Sequence, residues 1–251
     1  FLRREAGGWR WFSLNSHRRQ LRLHRELDGL LVGSRAMQQE LFSNGLERVE
    51  IVPPLIPLDP ATPPPLGRGH ILYVGQMIKG KGVDLLVKAL QQVSGDFRAT
   101  LVGDGNARAS LQKLVAQLGL ESKVEVAGWV SPSQLRGFYE QAQLVVVPSR
   151  WPEPFGMVGL EAMNLARPVV GFEHGGIPDW LEHGHTGLLV PEGNIGELGR
   201  GIERLLPNPA LAAEWAEAWA GVKGFGHVKA RNLAAVRARL AAIEAPAIAA
   251  E

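Results

Sequence analysis

The apolar residues of this chain fall into short runs separated by polar, glycine-bearing joints. From Gly69 onward the runs His70–Val74, Arg98–Val102, Val124–Ala127, Leu144–Val147, Pro168–Phe172 and Gly187–Val190 read as strands. Between and after them, Gly82–Val93, Arg108–Leu118, Ser131–Gln141, Gly156–Leu165, Gly176–Glu182 and Ile195–Leu206 read as helices. Runs such as LVVV at 144–147 are apolar without alternation, as expected of strands covered by helices on both faces. Alternating strands and helices of this kind predict an α/β fold, a Rossmann-like open parallel sheet.

The earlier part of the chain follows a different rhythm. Residues 17–27 predict a basic, partly amphipathic helix, and Asp28–Ser34 a short buried strand. Ser34 suits the N-cap of a helix to about Phe42, which Asn44-Gly45 closes, and Val49–Val52 predicts another strand. Prolines 53, 54, 57, 60, 63, 64 and 65 then exclude helix and central strand, so this stretch reads as a semi-rigid spacer. The expected organisation is the last part of an N-terminal domain at 1–56, a linker at 57–69, a Rossmann-like domain at 70–223 and a helical tail at 224–251. In the Ala-rich stretch after Pro209, Trp215 and Trp219 would share one helix face.

Composition changes this picture little. With 251 residues, 45% apolar and 21% charged, the chain is ordinary for a globular protein, and no apolar run reaches the ~18 residues of a membrane span. The absence of cysteine excludes disulfides and thiolate metal sites and agrees with a reducing compartment. The charge is uneven. Residues 1–27 hold seven arginines against two glutamates, whereas the remainder holds 20 basic and 23 acidic residues. The sequence pI of about 9.1 is therefore a property of one end and gives no support to nucleic-acid binding. Trp9, Trp11 and Phe12 beside that basic end leave two readings open, packing against a partner domain or contact with an anionic membrane.

Candidate chemistry concentrates in two strand-to-helix loops, at the edge where open parallel sheets bind ligands. In the first, VGQMIKGKGVDLL, Gly75, Gly80 and Gly82 allow close backbone approach, and Lys81 stands where a helix begins. Together they suit a phosphate. The segment nearly matches a nucleotide-triphosphatase P-loop, but Gly82 replaces the Ser/Thr that would hold magnesium. A plain glycine turn with a surface lysine is the other reading.

The second loop, VVPSRWPEPFGMVGLEAM, carries Glu153 on the loop and Glu161 on the helix. The amides of Phe155, Gly156, Met157 and Val158 lie between them. Amides and Lys81 for a diphosphate, with carboxylates for hydroxyls, could hold a sugar nucleotide. The spacing alone also fits a solvated helix face.

Weaker signals are the Gly103-Asp104-Gly105 turn and Trp129-Val130, which could flank a base or close the core. His174, His183 and His185 lack helical metal-ligand spacing, and no Asp-x-Asp occurs.

Over residues 28–206 the chain resembles the retaining, GT-B fold glycosyltransferases of family 4, the "glycosyl transferases group 1". The likeness rests on VGSRAMQQELFSNGLERVEIVPP, VGQMIKGKGVDLL, LVGDG, the E-x7-E block PSRWPEPFGMVGLEAM, ARPVVGFEHGGIPD and HGHTGLLVPEG. It implies two Rossmann-like domains facing across a cleft. The donor, a UDP- or GDP-type sugar nucleotide, would be held by the C-terminal domain without a metal.

Residue by residue, the resemblance places Lys81 and the Gly75-Gln76 turn at the diphosphate and Glu153 near the reacting sugar carbon. It places Glu161 at the ribose, the amides of 155–158 at sugar and phosphate, and Trp129 and Val130 at the base. The acceptor would be a glycan, lipid or small molecule. The work would be done in the cytoplasm, with the inner membrane face an option for residues 1–27. The likeness further implies that most of the N-terminal domain precedes Phe1, so that this chain by itself is expected to be inactive. Two positions depart from the family pattern: Gln76 stands where Arg is usual, with Lys79 as a candidate substitute, and Asp179 where Glu is usual. The alternatives are a related epimerase or phosphorylase, or a nucleotide-binding relative without turnover.

Overall fold

The computed structural model describes residues 2–5, 8–11, 15–54 and 68–207. The tail after Pro209, most of the proline-rich spacer and Phe12 lie outside them, as do the side chains of Trp9 and Trp11.

Two strands, β1 (Leu2–Glu5) and β2 (Gly8–Trp11), pair antiparallel ahead of the basic helix α1 (Asn15–Arg25). The hairpin is absent from the pattern-based reading, because four-residue strands that mix arginines with apolar residues are too short to establish a period. A parallel unit follows: β3 (Leu30–Val32), α2 (Arg35–Ser43) and β4 (Val49–Ile51), with its own small core of Val32, Leu46 and Val49. The expected cap is in place, the Ser34 hydroxyl accepting the Met37 N–H at 3.3 Å.

The six later strands are β5 (His70–Val74), β6 (Arg98–Val102), β7 (Val124–Gly128), β8 (Leu144–Val147), β9 (Val169–Phe172) and β10 (Gly187–Val190). They form one parallel sheet in the order β10-β9-β8-β5-β6-β7. The helices are α3 (Val83–Leu90), α4 (Arg108–Gln117), α5 (Pro132–Gln141), α6 (Met157–Asn164) and α7 (Ile195–Leu205). Both sheet faces are packed. Ile71, Tyr73, Leu144 and Val146 meet Leu86, Leu90, Leu111, Leu198 and Ile202 on one side. Leu72, Val145 and Val147 meet Tyr139, Leu160, Met163 and Trp180 on the other. The apolar, non-alternating strands have this cause.

One expected helix is corrected. Gly176–Glu182 holds only a 3-10 turn, Ile177–Asp179. Its groups serve other partners: the Asp179 carboxylate accepts the Arg35 N–H, the Trp180 indole donates to the Phe155 carbonyl, and the Glu182 N–H donates to the Thr186 hydroxyl.

Candidate functional site

The strand order reverses between β5 and β8. The chain moves outward from β5 through β6 to β7, then returns to β8 on the other side of β5. At such a switch point the loops leaving the two neighbouring strands run apart and open a crevice. Those loops are 75–82 and 148–156, the two that carry the candidate chemistry.

The first loop leaves β5 and makes a 3-10 turn, Lys79–Lys81, before Gly82 opens α3 in the left-handed region at φ 67°. Lys81 therefore ends a separate turn rather than beginning the helix. A Cβ on Gly82 would stand 1.8 Å from the Pro148 carbonyl oxygen, so only glycine lets the two loops press together. Further bonds hold the second loop to the first and to the start of α3. The backbone N–H groups of Arg150 and Trp151 both donate to the Gly80 carbonyl, at 2.9 and 2.8 Å. The Arg150 guanidinium donates to Asp84 at 2.8 Å.

Across this seam the Lys81 ammonium meets the Glu153 carboxylate at 2.6 Å. The Glu153 side chain is only 10% exposed and that of Lys81 30%. The Glu153 backbone is pinned from the far side: the Gly176 N–H donates to its carbonyl at 2.7 Å, and Gly175 lies so close that a Cβ there would be 2.4 Å from the Glu153 nitrogen. The loop EHGGIPD thus acts as a backrest for Glu153. The Tyr73 hydroxyl, beneath the first loop, donates to the Gln76 carbonyl at 2.9 Å. Burial, followed by the charges of Glu153 and Asp84, pushes that phenol above its ordinary range.

The crevice has a volume of about 670 Å³. One wall holds Gly75, Lys81, Glu153 and Phe155 to Val158; the other holds Leu31, Val32, Gly33 and Met37 of the β3–α2 unit. The N–H groups of Gly156, Met157 and Val158 donate to no carbonyl among the described residues and open toward this space. The two walls are bridged by Asp179, whose carboxylate accepts the Arg35 backbone N–H at 2.7 Å.

Other candidate residues lie outside the crevice lining. Glu161 is half-buried on α6, where it accepts the Tyr139 hydroxyl at 2.9 Å. Burial first, then the Glu161 charge and this bond, raise the Tyr139 phenol. Gln76 is exposed, as is Lys79. Trp129 is 69% exposed beyond the end of β7, and Val130 packs against the core. The three histidines do not gather: His174 meets Glu192 at 3.1 Å and His183 the Leu189 carbonyl at 2.8 Å. Among the described residues no group of three or more His, Asp and Glu could hold a metal ion. Tyr139, Arg150, Asp84 and the Arg35–Asp179 bridge are absent from the sequence reading, since their roles depend on pairings across 22 to 144 residues.

The family model described as glycosyl transferases group 1 matches residues 58–220. The chain is 35% identical over 153 residues to an alpha-D-kanosaminyltransferase of Streptomyces kanamyceticus, covering 60% of this chain and 39% of that protein. It is 31% identical over 225 residues to a D-inositol 3-phosphate glycosyltransferase of Pseudarthrobacter chlorophenolicus, covering 80% of this chain and 53% of that one. The chain thus spans about half or less of the length of these relatives. Among solved structures, Anabaena HepE in complex with UDP and glucose superposes with a TM-score of 0.75 at 24% identity, over 89% of this chain and 67% of that one. Staphylococcus aureus TarM, in a complex that includes UDP, gives 0.76 at 23%, over 87% and 44%. At these identities the structures establish a shared GT-B fold.

Proposed function

The chain belongs to the glycosyl transferases group 1 family, and on that premise we propose that it is the donor-binding part of a glycosyltransferase that uses a nucleotide-diphosphate sugar. The observation that carries this reading is the pairing of Lys81 and Glu153 at the sheet's switch point, beside the free N–H groups that open α6. Lys81 and the amides of 155–158 suit the diphosphate, because oriented N–H dipoles and an ammonium favour an anion. Glu153 suits the donor sugar, Glu161 the ribose hydroxyls, and Trp129 and Val130 the base. The UDP complex of HepE supports a uridine or similar donor.

The finer reading follows the family resemblance. Transfer proceeds with retention of configuration, of a hexosyl group, without a metal, to a glycan, lipid or small-molecule acceptor of the kind built into cell-envelope polysaccharide. The acceptor site belongs to an N-terminal domain of which residues 1–56 are the end, in the cytoplasm. α1 supports contact with an anionic membrane face, since it exposes Leu23 together with Arg18, Arg19 and Arg22. A second reading, nucleotide binding without turnover, is favoured by one observation: Gln76 brings an uncharged amide where the family pattern has a cation, and Lys79 is turned to solvent.

Calorimetric titration of the chain with UDP and GDP tests the proposal. Lys81→Ala should weaken binding roughly 10- to 100-fold, the equivalent of the ~1.5–3 kcal/mol of a hydrogen bond to a charged group. Glu161→Ala should weaken it as well. Absence of binding by either nucleotide at millimolar concentration would refute it.

A further inference from the structure

We infer that the Lys81–Glu153 ion pair makes this site distinguish a nucleoside diphosphate that still carries its sugar from one that has lost it. The inference rests on the sugar-nucleotide reading above and adds a discriminating role for Glu153.

The reason is a competition for one cation. Lys81 is the cation of the crevice lining, and it is engaged by Glu153 at 2.6 Å. Among the described residues no other donor reaches that carboxylate. Nor can the carboxylate swing into water by moving its backbone. Gly176 holds the Glu153 carbonyl, and the Gly175 backbone lies against the Glu153 nitrogen. A diphosphate that draws Lys81 away therefore leaves a nearly buried carboxylate without a donor, a costly state. Sugar hydroxyls are donors and remove that cost. A nucleoside diphosphate that has lost its transferable sugar has no hydroxyl-bearing group beyond the β-phosphate, its ribose hydroxyls being those assigned to Glu161, so the pair re-forms against it and favours its release. Glu153 thereby penalises the spent product while accepting the intact donor.

The test uses this chain, with dissociation constants for UDP and GDP measured on the wild type, Glu153→Gln, Lys81→Ala and the double variant. Thermal unfolding confirms that each is folded; Lys81, partly exposed, can hydrate once its partner is neutral. Glu153→Gln should tighten binding of the sugar-free nucleotide on the order of tenfold, since it removes a charged competitor, and should leave that of UDP-glucose, measured alongside, no tighter. In the Lys81→Ala background the same change should give no gain. An unchanged or weaker affinity in Glu153→Gln overturns the inference. A gain of equal size without Lys81 overturns it too, because plain repulsion between carboxylate and diphosphate would then suffice.

A ligand-free readout runs beside it. Acetic anhydride should modify Lys81 faster in Glu153→Gln than in the wild type, and an equal rate overturns the pairing. This measurement decides if Lys81→Ala binds too weakly to quantify. Failure of the underlying reading looks different: neither nucleotide binds wild type or Glu153→Gln.

Discussion

Replacing Gly82 by alanine should separate backbone strain from loop packing at the seam of the site. Gly82 has φ 67°, and its missing Cβ would lie 1.8 Å from the Pro148 oxygen and 2.9 Å from the Pro148 carbonyl carbon. Gly95 provides the control, with φ 83° and nothing within 4 Å of its virtual Cβ. Alanine in the left-handed region costs about 1–2 kcal/mol at either position. A part of this, about 0.4–1 kcal/mol, is returned by the reduced freedom of the unfolded chain. Gly95→Ala should therefore lose no more than about 1.5 kcal/mol. At Gly82 the added carbon meets a backbone atom that cannot rotate away, and overpacking of that kind adds about 1–3 kcal/mol. The two variants should differ by roughly that increment, or about 2–12 °C in unfolding temperature at ~2–4 °C per kcal/mol. Differential scanning calorimetry of the two measures the gap, and UDP titration should show weaker binding only for Gly82→Ala, since Lys81 moves with its neighbour. Equal melting temperatures for the two variants would refute the claim that Pro148 and Gly82 are in forced contact.

Other outcomes follow from the same geometry. Tyr139→Phe removes the hydroxyl that Glu161 accepts at 2.9 Å, and should weaken nucleotide affinity about fivefold, the worth of ~1 kcal/mol, in a fluorescence or calorimetric titration. Asp179→Ala leaves the first N–H of α2 without its acceptor and should lower stability by about 0.5–2 kcal/mol in urea unfolding. His70 is held neutral by burial, with both ring nitrogens engaged by Thr100 and Gln141, and its pKa lies below the ordinary 6.5. The unfolded chain therefore binds the extra proton first. Stability should fall as pH drops through 6.5 toward the lower folded value, and His70→Gln should flatten that slope in urea midpoints taken across the window.

Much of the fold is legible along the chain. The strands β5, β6, β8 and β10 begin and end where their apolar runs do, because short runs bounded by turn residues admit few alternatives. The Ser34 cap is equally local. Where local pattern and structure differ, side-chain partners decide, some nearby and some far along the chain. The 176–182 stretch holds only a 3-10 turn: the Glu182 backbone N–H goes to the Thr186 hydroxyl, while the Asp179 and Trp180 side chains are held by Arg35 and Phe155. The β1–β2 hairpin, with strands of four residues each, is too short for its period to be read.

For the site the division is sharper. The residue types that could serve are written along the chain: a lysine after glycines, two glutamates eight apart, and a glycine at the start of a helix, each visible in a window of a few residues. The return of β8 beside β5, which brings Lys81 within 2.6 Å of Glu153 across 72 residues, comes from the three-dimensional packing. The same packing sets the Gly175–Gly176 backbone, from a third loop, against Glu153. The physical reason is that strand order in a parallel sheet follows from how whole faces pack, and no local window records it. The charge of a single lysine becomes chemistry only through what that packing sets against it.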